Sequence, residues 1–150
     1  MTPFEEIVQE LSVQLDLPIQ IEEKERFQLF IERSIEVHIE LSEDTLSIRT
    51  AASLAELPQD TFREKVMINA LKQNNQGNKE AIFAFTNTKN YLILCNETSI
   101  QGLNGEKFAD MLERFAKKAL LWKGGIDMGN ADPEGMEDGG SDLPPPFSIR

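Results

Sequence analysis

The sequence contains few of the residues that build catalytic and metal centres. Its 150 residues include one cysteine and one histidine. Cys95 therefore has no partner for an internal disulfide or a structural zinc site, which fits a reducing compartment. No apolar run approaches the roughly 20 residues of a membrane span, and the acidic N-terminus lacks the basic and apolar parts of a signal peptide. We expect a cytosolic protein that inserts into no membrane.

Basic residues are scarce as well. The chain has 15 Lys and Arg against 26 Asp and Glu, which gives a formal net charge of −11 at pH 7. A nucleic-acid partner needs a basic surface, so this balance argues against one. There is no glycine-rich phosphate loop, and His38 lies on the polar face of a strand with no nucleophile placed to use it. The sequence predicts no enzyme, no cofactor and no metal site.

The composition changes near residue 124. Residues 124–150 hold six glycines, four prolines and six acids, and Arg150 is their only base. Such a segment buries too little apolar surface to offset the cost of ordering it. We therefore expect a folded domain over 1–123, with a net charge of −6, and a flexible acidic Gly/Pro-rich tail over 124–150. The three consecutive prolines at 144–146 favour a locally extended chain.

The spacing of apolar residues alternates between the helical and the strand period. The predicted elements are a helix over 4–15 between Thr2 and Pro18; a three-stranded meander over 27–31, 35–41 and 46–50; a helix from Asp60 to Asn75; a hairpin over 81–86 and 91–96; and a helix over 104–123 that Gly124 and Gly125 end. The order α-β-β-β-α-β-β-α predicts an α+β fold with helices packed on antiparallel strands.

The last predicted strand is apolar on both faces. Tyr91, Ile93 and Cys95 alternate with Leu92 and Leu94. A strand with two apolar faces is buried on both sides, and a domain of this size has few other elements to cover it, so we expect a second subunit. The residues predicted at the dimer contact are Met67, Phe83, Phe85, Tyr91 and Ile93.

Several weak motifs follow one another in a recognisable order. They are Leu15-x-Leu17-Pro18, the meander, the Leu57-Pro58 step into a helix that closes on Leu71…Asn74-Asn75, the pair 81–85 and 91–95, and the helix Phe108…Leu112…Phe115…Ala119…Trp122. This arrangement resembles the class I type III secretion chaperones, the family of the Tir and YopE chaperones. The runs at 57–63 and 103–107 and the Gly-rich tail ending in Pro-Pro-Pro-x-x-Ile-Arg look similar to chlamydial members in particular.

The resemblance implies a function without catalysis. Such chaperones form homodimers, or heterodimers with a related chaperone, in the bacterial cytoplasm. They bind the N-terminal segment of a secreted effector in extended form and keep it secretion-competent without ATP. The resemblance also implies the secretion ATPase as a further partner. An extended segment is held by strand addition and by apolar pockets.

Apolar side chains on the meander are the candidates for the effector groove. These candidates are Phe27, Leu29, Phe30, Ile31, Val37 and Ile39. Phe30 faces away from Leu29 and Ile31, and an apolar ring on a solvent face often marks an interaction. For the strictly alternating residues, burial in the core is the alternative. Two other classes remain open: an acidic dimeric regulator that masks a folded partner, and a small enzyme with a cryptic polar pocket.

Overall fold

The computed structural model describes residues 1–76, 80–86, 90–135 and 146–149. The elements are α1 Pro3–Leu15, β1 Arg26–Ile31, β2 Ile35–Leu41, β3 Ser47–Glu56, α2 Thr61–Asn75, β4 Ile82–Phe85, β5 Tyr91–Ser99, α3 Gly105–Asp127, a 3₁₀ turn Pro133–Gly135 and β6 Phe147–Ser148. This confirms the predicted order of helices and strands and adds the short strand β6, which has no apolar period of its own.

The strands form one antiparallel sheet in the order β4-β5-β3-β2-β1-β6. The predicted meander is confirmed: β1 pairs with β2 around a tight turn in which Glu32 and Arg33 adopt positive φ. β3 is longer than the spacing predicted, and Leu46 is 64% exposed rather than part of a strand. Leu46 lies outside the strand because side chains of the preceding turn bind its backbone. The Leu46 amide donates to Asp44 Oδ1 and the Ser47 amide donates to Ser42 Oγ, so the turn extends to residue 46.

Two helices cover the inner face of the sheet. α1 begins at the predicted cap, where the Glu5 amide donates to Thr2 Oγ1 at 3.2 Å. α3 crosses α1 at Gly105, whose α-carbon has the Glu10 side chain and the backbone of residues 10 and 11 directly against it. Trp122, near the far end of α3, is fully buried with its ring centroid 4.3 Å from that of Phe83. The core therefore lies between the sheet and the α1–α3 pair.

α2 lies beside the edge strand β4 rather than across the sheet. It begins at the predicted place, and Asp60 caps it, since Asp60 Oδ1 accepts from the amides of residues 62 and 63. Asn74 donates to the Phe83 carbonyl and accepts from the Phe83 amide, so it replaces a neighbouring strand. α2 leaves part of its apolar surface uncovered, since Leu71 is 54% exposed.

The last helix does not end at Gly124 and Gly125 as predicted. It continues to Asp127, because packing of this last turn outweighs the low helix propensity of glycine. A Cβ on Gly125 would collide with the Pro133 ring, while Ile126 is 8% exposed. The described pieces of 124–135 and 146–149 thus lie against the domain. The predicted tail between them, at 136–145, falls outside the described residues.

Candidate functional site

The free edge of β1 carries a segment from the C-terminus of the same chain. Phe147 lies opposite Ile31 and Ser148 lies opposite Phe30, in antiparallel register. The Glu32 amide donates to the Pro146 carbonyl at 2.9 Å, which extends the pairing by one position. In the described part of the chain, no strand pairs with 27–29 on this side. At the other end of the strand the Glu22 amide donates to the Arg26 carbonyl at 2.7 Å. The edge therefore accepts an extended chain, and the backbone groups of residue 28 lie between these two contacts.

A groove runs along α1 next to the start of β1. The segment 17–25 lies beside α1, and together they enclose an open space of about 460 Å³. The lining residues are Met1, Glu5, Val8, Gln9, Ser12, Ile19, Ile21 and Glu25. Ile19 and Ile21 are half-buried against the core, and residue 25 directly precedes β1. The lining combines apolar side chains with two carboxylates, which suits an apolar anchor flanked by neutral or basic groups.

The apolar surface continues around α1 beyond this groove. Val13 is 76% exposed, and with Ser12, Asp16, Leu17 and Pro18 it borders a second, shallower depression. Asp16 ends the helix in a left-handed conformation, with its amide donating to the carbonyl of residue 13. The chain therefore reverses here and runs back along α1 towards β1.

A second apolar surface lies on the outer face of the sheet. Tyr91, Ile93 and Cys95 are half-buried there, and Ile82 on β4 is 42% exposed. Ile82 lies opposite Cys95, and Ala84 lies opposite Ile93. Burial raises the pKa of the Cys95 thiol, which keeps it protonated and weakly reactive. Cys95 is thus half-buried on the outer face of the sheet.

The predicted effector-groove residues divide into two groups. Phe27, Leu29, Ile31, Val37 and Ile39 are at most 2% exposed and belong to the core. A ligand cannot touch them unless the sheet and α1 separate. Phe30 alone is half-buried on the outer face, at the position paired with β6. Its role in effector binding stays a prediction.

The predicted dimer residues also divide. Phe83 is 4% exposed and packs on Trp122, with Lys118 Nζ 5.2 Å from its ring centroid. It belongs to the core. The other four, Met67, Phe85, Tyr91 and Ile93, are half-buried. Their part in a dimer stays a prediction.

The sequence reasoning missed the groove residues and the C-terminal strand. Leu17, Ile19 and Ile21 alternate before β1, and that period of two could have indicated an apolar strip beside α1. Phe147 and Ile149 gave no periodic signal, since two apolar residues after three prolines are too few to define a period. The place of Phe147 on the β1 edge depends on a pairing across more than 100 residues.

The described residues give no support to a metal centre or a membrane span. No three His, Cys, Asp or Glu side chains in 1–76, 80–86, 90–135 and 146–149 converge to hold a metal ion. Within the same ranges, none of the helices combines the length and apolar content of a membrane span. His38 is exposed, with Glu36 3.4 Å from its Nε2.

Comparison with known folds gives consistent matches. The chain is similar to a chain in the crystal structure of the Yersinia pestis type III secretion chaperone SycH with a stable fragment of YscM2, with a TM-score of 0.62 and 15% identity over 79% of this chain and 98% of that one. It is similar to a chain of the ExsC–ExsE complex, with a TM-score of 0.65 and 17% identity over 82% and 95% of the two chains. For the ExoT–SpcS complex from Pseudomonas aeruginosa the TM-score is 0.60, with 20% identity over 79% and 97%.

These identities establish likeness of fold, and the family follows from a separate match. No curated protein matches the sequence. The family model of the Tir chaperone proteins, CesT, matches residues 6–123. That range contains almost all of α1, the sheet from β1 to β5, α2 and most of α3. Since the match covers far more than half of the sequence, the chain belongs to the Tir chaperone protein (CesT) family.

Proposed function

We propose that this protein is a type III secretion chaperone that acts in the bacterial cytoplasm. It binds the N-terminal segment of a secreted effector in extended form and keeps it soluble and secretion-competent without ATP, as a binding protein and not as an enzyme. The observation that carries this proposal is the edge of β1, where an extended segment, residues 146–149, is already seated by strand pairing. Family membership supplies the class of protein.

The edge and the groove supply the two parts of extended-peptide recognition. Backbone groups of a strand edge bind any extended sequence, and pockets for alternate side chains select among sequences. Residue 28, together with residues 30–32 once the C-terminal segment leaves, offers the strand edge, and the groove at Ile19 and Ile21 offers the apolar pocket next to it. The effector segment therefore pairs with β1 and places an apolar side chain along α1.

The charge of this region favours a particular kind of segment. Glu5 and Glu25 line the groove, and the whole chain carries a formal net charge of −11 at pH 7. Complementary charge speeds encounter and disfavours wrong partners. We expect the bound segment to combine spaced apolar residues with neutral or basic ones, and its affinity to fall as salt rises.

Capture of the cargo tests this function. The tagged full chain is used to retain partners from the source bacterium, and the retained complex is treated with protease and analysed by mass spectrometry. The proposal expects a larger protein with one protected stretch near its N-terminus. Retention of an intact folded protein without such a stretch would favour the alternative, an acidic dimeric regulator that masks its partner.

Two exposed apolar residues provide a matched pair for the same assay. Val13 borders the shallower depression next to the groove along α1, whereas Leu46 lies in the turn between β2 and β3. Both are more than half exposed, so an aspartate at either leaves the core intact. We expect Val13→Asp to weaken cargo binding about tenfold, the loss of roughly one apolar contact of 1.4 kcal/mol, and Leu46→Asp to leave it unchanged. Phe30→Asp tests the predicted role of that ring in the same way.

We further propose that a second subunit, identical or related, covers the outer face around Ile93. Apolar area on both faces of β5 supports this proposal, and the secretion ATPase stays a predicted partner. Sedimentation at micromolar concentration provides the test. Ile93→Glu should shift the protein towards monomer, whereas His38→Glu, on the same face but over exposed β2, should not. Equal sedimentation of Ile93→Glu and the unmodified chain would remove this face from the interface.

A further inference from the structure

The C-terminal segment on the β1 edge has the form of a ligand. We call residues 146–149 the resident strand. Two of its residues pair with Ile31 and Phe30, and Pro146 accepts from the Glu32 amide at 2.9 Å. Phe147 lies half-buried against the core, while Ile149 beyond the pairing is 38% exposed. The resident strand thus uses backbone pairing plus one apolar anchor, the same two elements as a bound extended peptide.

The resident strand is too short to hold its position firmly. Strand pairing becomes stable with several residues and several strands, and here only two residue pairs form. Tethering compensates in part, because a segment on a short linker has an effective concentration on the order of millimolar. If the untethered segment binds the edge with a dissociation constant that is also about millimolar, the tethered strand occupies the edge for only part of the time.

We propose that the resident strand is a built-in competitor for the β1 edge. It covers the edge in the empty chaperone, which prevents edge-to-edge association of copies, and it is displaced when an extended effector segment pairs with β1. The identity of the displacing partner rests on the function proposed above. The competition itself concerns only this chain.

The anchor residue and its neighbour give a matched pair of variants in the full chain. Phe147→Asp places a charge against the core at a paired position, whereas Ile149→Asp makes the same charge change beyond the pairing. The probe is a synthetic peptide with the sequence of residues 143–150. Its binding is followed by the shifts of the Phe30 and Glu32 amide signals in NMR titrations.

We expect Phe147→Asp to bind the peptide about 2- to 10-fold more tightly than the unmodified chain, because the tethered competitor is gone. Ile149→Asp should bind like the unmodified chain. The Glu32 amide should also exchange with solvent faster, by a similar factor, in Phe147→Asp. Ser148→Pro, which removes a backbone donor at a paired position, is the second variant should Phe147→Asp fail to fold.

Equal peptide affinity in the disrupted and unmodified chains would overturn the proposal, as would a peptide that shifts no β1 signal. Because this assay contains no effector, such a result leaves the chaperone function standing. Conversely, failure to capture a secreted protein would refute the chaperone function. The peptide titration would still show whether the resident strand competes for the β1 edge.

Discussion

The crossing of α1 and α3 at Gly105 predicts that the same substitution, glycine to alanine, has opposite effects on stability at two positions of α3. An added Cβ at Gly105 would lie 2.3 Å from the Glu10 Cβ and 2.7 Å from the Leu11 backbone nitrogen. The atoms it meets include backbone, so a side-chain rotation cannot relieve the clash. At Gly124, also inside α3, nothing lies within 4 Å of an added Cβ.

The expected magnitudes follow from these two environments. Ordinary van der Waals contact needs about 1 Å more between the added Cβ and the Glu10 Cβ than the crossing at Gly105 allows. Gly105→Ala therefore forces the two helices apart. Overpacking of this kind lowers the free energy of unfolding by about 1–3 kcal/mol. Gly124→Ala removes only the entropic penalty of glycine in a helix, and should raise the same free energy by about 0.5–1 kcal/mol.

Urea and thermal unfolding of the full chain, at one fixed protein concentration, measure both effects. For a chain of this size, each kcal/mol corresponds to a shift in Tm of about 2–4 °C. The fixed concentration matters because association would add to the apparent stability. A Gly105→Ala variant as stable as the unmodified chain would refute the close crossing of α1 and α3.

Three further predictions concern local contacts. Asp60→Ala removes the cap of α2 and should lower the free energy of unfolding by about 1 kcal/mol in urea titrations. Asn74→Ala leaves the Phe83 backbone groups without their side-chain partner, so hydrogen exchange at the Phe83 amide should accelerate while the inner strands keep their protection. Donation from the Ser42 hydroxyl lowers the pKa of Asp44 from its ordinary value of 3.8. A lowered folded-state pKa gives stability that is present above the unfolded pKa and lost as pH falls through the folded one. Ser42→Ala should therefore raise the pKa of Asp44 in an NMR titration; an unchanged pKa would mean that another donor is responsible.

The core could be predicted from the sequence, but not the surface that we propose for binding. The regular alternation of Leu29, Val37 and Ile39 with polar residues predicts that their side chains share one face of the sheet. The same alternation is expected for a buried core and for a ligand groove. Only the position of α1 and α3 over that face decides that it is core. Ile19 and Ile21 acquire their place in a groove because the chain reverses at Asp16 and returns along α1.

The sequence by itself determined the helices, the meander and the hairpin, because period, caps and turn residues act within a few positions of one another. It also determined the acidic charge and, through the order of its motifs, the family. The tertiary structure decided the rest. The continuation of α3 through Gly124 and Gly125 depends on packing against Pro133, and the seat of Phe147 on β1 depends on a strand edge formed more than 100 residues earlier. Such contacts join residues that are distant along the chain, and no local pattern encodes them.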